Sequence, residues 1–266
     1  MSNGQVTLVV LGIAQLVIAL PLHALLLRRH PEDLGLSPDG EPALPAQSHA
    51  PLPGATLSEA LGSPAFWMLT ASFALLVMGD TVVFVHQVAF MISRGTDAVL
   101  AATLSGMLGL ASLPGRYVFN VLSSRISAQK LLALSMVAQV VGIVVLVLAS
   151  SSLAWLILYV VIYGCAYGAF SPLRSSVMAD RFGRRAYGAI TAVQGIPVAV
   201  CAGLGPLAAG WLYDVLHHYE VAFWLCACAF LLAAIGIALA PRPDVQHVGS
   251  APAPAVMQED MMEGRG

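Results

Sequence analysis

The stretch AFWMLTASFALLVMGDTVVFVHQVAFMI, residues 65–92, decides the fold of this chain. It contains one acidic residue, Asp80, and no Lys, Arg or Glu. A helix needs about 20 predominantly apolar residues to cross the hydrocarbon core of a bilayer, and this stretch exceeds that length. It is too long for a membrane β-strand and does not alternate strictly between polar and apolar residues. We therefore predict a membrane-spanning helix.

Further stretches of the same character give about seven predicted spans in all. They lie near residues 5–27, 97–122, 129–150, 153–177, 187–213 and 220–240. The composition agrees, since 58% of the 266 residues are hydrophobic and only 10% are charged. An ordinary soluble domain carries about 25% charged residues. The prediction is an all-α integral membrane protein that has the lipid bilayer as its surroundings.

Several classes of function are disfavoured by the same sequence. The net charge of −2 provides no basic field for binding nucleic acid. The four cysteines lie in apolar runs and lack the spacing of a zinc site. Neither a Walker-type nucleotide loop nor an HExxH sequence occurs. We expect no enzyme activity, no cofactor and no metal site.

The distribution of Lys and Arg predicts the orientation of the spans. If the spans alternate in direction, one side of the membrane receives nearly all of these residues: Arg28, Arg29, Arg125, Lys130, Arg181, Arg184, Arg185 and Arg242. The other side receives Arg94 alone. Loops rich in Lys and Arg stay in the cytoplasm. The charged loops are therefore predicted to be cytoplasmic, in a multi-pass protein of the plasma (inner) membrane.

The chain divides into four predicted regions. Residues 1–27 form the first span, and residues 28–64 form a cytoplasmic linker rich in proline. Residues 65–240 form a bundle of six spans, and residues 241–266 form a cytoplasmic tail of disordered composition. Near the end of the linker, the sequence Thr56-Leu57-Ser58-Glu59 fits a capping box that opens a short helix.

Four sequence motifs resemble the major facilitator superfamily of transporters. LPLH at 20–23 with RHPEDLGL at 29–36 resembles the exit of the sixth helix, and GRYVFNVLSSR at 115–125 resembles the loop between helices eight and nine. ADRFGRR at 179–185 and GPLAAGWLYD at 205–214 are similar to segments of helices ten and eleven. The pattern is most similar to the oxalate/formate and monocarboxylate branch. The family usually has Gly and Asp where this chain has Asn120 and Ser124, which weakens any charge-relay latch at that loop.

The resemblance implies a fold and a function. The chain would be the C-terminal half-bundle of a twelve-span transporter, preceded by the equivalent of helix six. Such a half consists of two inverted three-helix repeats, with the substrate near the midplane between the halves. The implied function is alternating-access transport of a small organic anion, by proton symport or anion exchange. As a truncated or split transporter, the chain would work only with an N-terminal half as its partner, or as a dimer.

Polar residues inside the spans are the candidates for substrate and proton binding. Arg116 is the leading candidate, because its planar guanidinium matches a carboxylate with two hydrogen bonds. It also stands where the monocarboxylate branch carries its anion-binding arginine. The alternatives are an arginine that reaches the cytoplasmic interface or one that pairs with Asp80. Tyr117 and Asn120 are expected to line the same cavity.

Two further residues have open alternatives. Asp80 either carries a proton or serves as a structural counter-ion. His86 either binds substrate or protons, or simply forms a hydrogen bond within the packed bundle.

The cytoplasmic ends of the spans carry candidate gate residues: Arg125, Asp180, Arg181, Arg184 and Arg185. Two other hypotheses remain open. One is a membrane fragment without transport activity, and the other is a transporter of another solute, such as a drug or a sugar.

Overall fold

The computed structural model describes residues 3–26, 53–149 and 152–241. Residues 1–50 and 51–266 form two separate units. In the first unit, α1 spans Asn3–Leu26. The helices of the second unit are α2 (Leu57–Gly62), α3 (Pro64–Ser93), α4 (Ala98–Leu122), α5 (Ala128–Leu148), α6 (Leu153–Phe182), α7 (Tyr187–Leu216) and α8 (Glu220–Leu239).

The all-α fold class is confirmed. The six helices α3–α8 are long and apolar enough to cross a membrane, and each overlaps a predicted span. A helix also forms over the first predicted span, although its apolar part within the described residues, Gly12–His23, is shorter. Most of the predicted linker and nearly all of the predicted tail lie outside the described residues, so the four-region division stays a prediction.

The predicted capping box is confirmed at the start of α2. The backbone N–H of Glu59 donates to Oγ1 of Thr56 at 3.3 Å, and the backbone N–H of Thr56 donates to Oε2 of Glu59 at 2.8 Å. These two bonds satisfy donors that a helix N-terminus leaves unpaired. The short helix then leads directly into Pro64, the first residue of α3.

The bundle has the pairing pattern of an inverted repeat. α4 packs along α6 in the same way that α7 packs along α3, and α6 packs along α5 in the same way that α3 packs along α8. Exchanging α3, α4 and α5 for α6, α7 and α8 therefore leaves the set of neighbours unchanged, and α5 and α8 contact each other. The three-helix repeats run in opposite directions because equivalent helices are three positions apart along the chain and successive spans alternate in direction.

Glycines allow the closest helix pair, α4 and α6, to approach. A Cβ atom on Gly168 would lie 2.0 Å from the backbone oxygen of Ser112, and one on Gly115 would lie 2.0 Å from that of Cys165. Gly164, one turn before Gly168, faces the side chain of Ala111. Small residues at such spacing are typical of close packing between membrane helices.

Side-chain contacts identify which helix ends lie together. At one end, Arg181 of α6 donates to Oε1 of Gln129 at the start of α5. Nε2 of Gln129 donates in turn to the Ile237 oxygen of α8 at 2.6 Å. At the other end, Arg94 after α3 pairs with Glu220 of α8 at 3.1 Å. We call the first end the basic face, because the α4–α5 and α6–α7 loops there carry Arg125, Arg184 and Arg185.

Two spans have large faces that the described residues of the bundle do not cover. Only 28% of the apolar segment of α4 and 22% of that of α7 is buried, against 44% or more in the other four spans. α4 and α7 are equivalent helices of the two repeats. The uncovered faces therefore follow the same symmetry as the packing.

Candidate functional site

Asp80 lies near the middle of α3, and only 4% of the residue is exposed. The hydroxyl of Tyr163 on α6 donates to Oδ1 of Asp80 at 2.6 Å. Nε2 of Gln139 on α5 donates to the same oxygen at 3.1 Å. Ionisable residues inside membrane spans are costly and mark candidate functional sites. Three helices thus hold one carboxyl group in the interior of the bundle.

A second buried polar cluster lies two helical turns along α3 from Asp80. The hydroxyl of Tyr159 donates to Oε1 of Gln87 at 2.6 Å, and Nε2 of Gln87 donates to Ser105 of α4 at 2.8 Å. The rings of Tyr159 and Tyr163 lie 5.6 Å apart. Gln87 and Tyr159 were not among the site residues predicted from the sequence. Their helical spacing from Asp80 and Tyr163 was the available signal, because residues three, four or seven apart share a face.

Arg116 lies in the last third of α4, with an exposed side chain. Tyr117, 73% exposed, and Asn120 are also exposed, and their spacing puts them on the same face of the helix as Arg116. The adjacent Gly115 is buried against α6. The structure therefore brings three of the predicted substrate-binding residues together, on the uncovered face of α4.

Asp80 and Arg116 do not form the ion pair that was one alternative for them. Within the described residues, the ion pair that forms is that of Arg94 with Glu220. The reason is the rotation of the helices, since Asp80 is buried and bonded to α5 and α6, while Arg116 lies on the exposed face of α4.

His86 lies apart from Arg116 and contacts α7. One ring nitrogen, Nε2, lies 3.1 Å from the backbone oxygen of Pro206, and the ring lies 5.3 Å from that of Tyr219. The residue is half-buried. This geometry matches the alternative in which His86 forms a hydrogen bond within the packed bundle.

The predicted gate residues all lie at the basic face. Arg125, Asp180, Arg184 and Arg185 are exposed, whereas Arg181 is buried and bonded to Gln129. The segment before α2 is held against this loop, because the backbone N–H of Arg184 donates to the Pro53 oxygen at 3.0 Å. Their role as a gate stays a prediction.

Six apolar spans with polar groups buried between them define a multi-pass membrane protein. The sequence profile of the Major Facilitator Superfamily matches residues 2–200 and 123–259. The chain therefore belongs to the Major Facilitator Superfamily. The crystal structure of the superfamily transporter FucP in the outward conformation has the same fold, with a TM-score of 0.58 and 17% identity. That alignment covers 76% of this chain and 49% of FucP.

Two groups of curated relatives match the sequence. Monocarboxylate transporter 12-B of Danio rerio is 28% identical over 182 residues, covering 65% of this chain and 37% of the relative. Monocarboxylate transporter 13 of Rattus norvegicus is 30% identical over 188 residues, which cover 70% of this chain and 43% of the relative. The multidrug resistance protein B homolog of Mycobacterium tuberculosis (strain ATCC 25618 / H37Rv) is 32% identical over 134 residues. These residues cover 50% of this chain and 24% of the relative.

The resemblance to the monocarboxylate branch is thereby confirmed. The chain spans less than half the length of each of these relatives.

Proposed function

We propose that this chain is the C-terminal half of a secondary active transporter for small organic anions, such as monocarboxylates or oxalate/formate. Transport would proceed by alternating access, with this bundle rocking against a partner half. The similarity to monocarboxylate transporters 12-B and 13 supports the substrate class. The observation that carries the proposal is the exposed position of Arg116 within a span, on one face with Tyr117 and Asn120.

The chemistry of Arg116 favours an anion as the substrate. A charged side chain at the centre of a membrane helix costs about 2.5–3.5 kcal/mol. Arg116 lies roughly 9 Å from the basic-face end of α4, given 1.5 Å per residue. A water-filled cavity between two halves would accommodate the charge better than lipid would. There the guanidinium binds a carboxylate through two parallel hydrogen bonds, and Tyr117 and Asn120 offer further polar contacts.

The uncovered faces of α4 and α7 support the need for a partner half. Within the described residues, glycines on these faces have no neighbouring atom within 4 Å of an added Cβ: Gly106, Gly109, Gly195, Gly203 and Gly210. Small residues favour close approach of another membrane helix. In transporters built from inverted repeats, the binding site lies between the two halves. An N-terminal half, or a second copy of this chain, would complete the cavity.

Asp80 is proposed as the proton-coupling residue. A carboxylate buried without a cation is costly in its ionised form, whereas the protonated form can be buried at lower cost. Tyr163 and Gln139 hold the group in place in either form. Uptake driven by a proton gradient would then require Asp80, and anion exchange would not.

The orientation is also part of the proposal. The basic face carries the arginine-rich loops and is proposed to be cytoplasmic, in the plasma (inner) membrane. Arg125, Asp180, Arg181, Arg184 and Arg185 would form the gate on that side.

Uptake of radiolabelled lactate and oxalate into proteoliposomes tests the proposal. The chain is reconstituted alone, and also together with any spans encoded upstream of the Met1 codon. We expect saturable uptake only with the added spans, and a loss of about tenfold or more in Arg116→Lys, since Lys cannot form the bidentate contact. Lys130→Arg, an exposed change outside the proposed site, serves as the control.

Each outcome has a definite meaning. Normal uptake in Arg116→Lys would contradict the proposal that Arg116 binds the substrate carboxylate through two hydrogen bonds. Saturable uptake by the chain alone as a monomer would contradict the need for a partner half. The multidrug relative favours a drug as the alternative solute, so efflux of a cationic dye without lactate uptake would favour that class. No flux of either kind would favour a fragment without transport activity.

A further inference from the structure

A second cationic group lies inside the bundle, on α6. Arg174 is half-buried and lies roughly 12 Å from the basic-face end of its helix, at 1.5 Å per residue. Its guanidinium carbon lies 5.2 Å from the ring centroid of Phe73 on α3 and 5.9 Å from that of Phe170. Two aromatic faces thus hold the planar group in place.

The hydrogen bonds of Arg174 fix its position but leave most of its donors unused. Nη2 donates to Oε1 of Gln194 on α7 at 3.2 Å. The amide of Gln194 is fixed in turn, because its Nε2 donates to the sulfur of Met178 at 3.3 Å. A guanidinium carries several N–H donors, and Gln194 accepts from one nitrogen. The remaining donors are available to a ligand.

No carboxylate neutralises Arg174 within the described part of the chain, where Arg94 and Glu220 at the opposite face form the ion pair. A cation inside a membrane protein is normally paired or faces a water-filled cavity. Aromatic faces and one amide oxygen stabilise the charge only in part. The charge is therefore complementary to an anion that comes from outside these residues.

The space beside Arg174 is a cavity of 270 Å³ between α6 and α7. Ser171, Ser175, Tyr187 and Thr191 are among the residues that line it. The hydroxyls of Ser175 and Thr191 donate to backbone oxygens of their own helices. The Tyr187 hydroxyl makes no hydrogen bond with the described residues, and Tyr187 lines the same cavity as Arg174. It is therefore a free donor near the guanidinium.

We infer that this cavity binds a small carboxylate anion between the Arg174 guanidinium and the Tyr187 hydroxyl. The guanidinium fork matches the two oxygens of a carboxylate, and pockets for drug-sized ligands start at about 300 Å³, so the occupant is small. The site differs from that of Arg116, which lies on a different helix, α4, and does not line this cavity. The inference does not require that the chain transports anything.

Protection from chemical modification tests the site in the unaltered chain. The purified 266-residue chain in detergent is treated with phenylglyoxal, which modifies arginine, and the adducts are located by mass spectrometry. We expect pyruvate to slow the modification of Arg174 several-fold, while exposed Arg184 reacts at an unchanged rate. Equal modification of Arg174 with and without pyruvate would overturn the inference.

Two variants make the test specific. Equilibrium dialysis with labelled pyruvate is carried out in an Arg116→Gln background, so that the proposed transport site does not contribute. In that background Arg174→Gln should abolish binding, and Tyr187→Phe, which removes only one donor, should weaken it about fivefold. Lys130→Gln, an exposed charge change elsewhere on the basic face, should bind as the parent does. If Arg174→Gln does not fold, Tyr187→Phe and the protection experiment still decide the question. Unaltered binding in Tyr187→Phe and Arg174→Gln would contradict the site.

Other anions are distinguished by parallel arms. Protection of Arg174 by inorganic phosphate but not by pyruvate would show that the site binds phosphate and not a carboxylate. Protection by added phosphatidylglycerol without pyruvate would identify a lipid headgroup, and either result overturns the carboxylate assignment. A loss of uptake in Arg116→Lys with Arg174 still protected would show that this site is independent of the proposed transport site.

Discussion

The hydroxyl of Tyr163 lies 2.6 Å from Oδ1 of Asp80 and donates a hydrogen bond to that oxygen. Both residues are buried, with Tyr163 inaccessible to solvent. The bond joins α3 of the first inverted repeat to α6 of the second. Gln139 adds a donor from α5, so the carboxyl group of Asp80 links three helices.

Removing the Tyr163 hydroxyl should destabilise the bundle. Tyr163→Phe keeps the ring but leaves Oδ1 of Asp80 with Gln139 alone. Leaving a buried polar group without a hydrogen-bond partner lowers the stability of a protein by about 1–3 kcal/mol. We expect a corresponding loss in the free energy of unfolding, measured by SDS titration in mixed micelles. Tyr117→Phe is the matched control, because Tyr117 is 73% exposed and should show no change. Equal stability of the two variants would contradict a structural role for the bond.

The contact between α4 and α6 should not tolerate a methyl group. In Gly168→Ala, the new Cβ would lie 2.0 Å from the backbone oxygen of Ser112, so the helices must separate. Overpacking of this kind costs about 1–3 kcal/mol. Gly106→Ala, on the uncovered face of α4, has no atom within 4 Å of its Cβ and should be neutral or stabilising. Thermal unfolding of both variants in detergent measures the difference, and a Gly168→Ala variant as stable as Gly106→Ala would refute the close packing.

The spans were predictable because the bilayer sets their length and composition. All six bundle helices begin and end close to the predicted residues, with the clearest difference at the end of α6. That helix was predicted to end near residue 177 and continues to Phe182. Met178–Phe182 include Asp180 and Arg181, so a prediction based on apolar residues ends the helix too early. The helix continues because backbone hydrogen bonding does not require lipid.

The pairing of side chains between spans was less predictable. Arg116, Tyr117 and Asn120 share a face by helical spacing alone, and the structure shows that face uncovered. The position of Asp80 against Tyr163 and Gln139 depends on the rotation of three helices. Nearly every residue in these spans is apolar, so hydropathy gives little information on which side faces inward. Arg174 shows the same limitation, because Phe73 and Gln194 belong to other helices.

The capping box of α2 should lose strength in acid. Hydrogen bonds from the Thr56 backbone N–H and hydroxyl, and the nearby charge of Arg185, hold the pKa of Glu59 below its ordinary value of 4.5. A lowered folded-state pKa means that the contribution of the ionised carboxylate is present above pH 4.5 and disappears as the pH falls through the lowered value. Hydrogen exchange at the Thr56 amide, which donates to the Glu59 carboxylate, should therefore show decreasing protection in acid.

Glu59→Gln provides the comparison at each pH, since its neutral amide can still accept the bond but does not titrate in this range. Protection of the parent should fall toward that of the variant in acid and exceed it at neutral pH. Profiles that run parallel across the whole range would show that the charge of Glu59 does not contribute.

The last prediction concerns the contact between Gly54 and Gly183, which holds the segment before α2 against the α6–α7 loop. Gly183 has a φ of 69°, and an added Cβ would lie 2.5 Å from the Cα of Gly54. Gly183→Ala should therefore break the bonds from the Ala55 N–H to the Phe182 oxygen and from the Arg184 N–H to the Pro53 oxygen. A strained left-handed residue costs about 1–3 kcal/mol, so exchange at these two amides should accelerate about tenfold. Gly188→Ala, with no atom within 4 Å, should leave both amides protected; if Gly183→Ala does so too, this contact does not hold the segment in place.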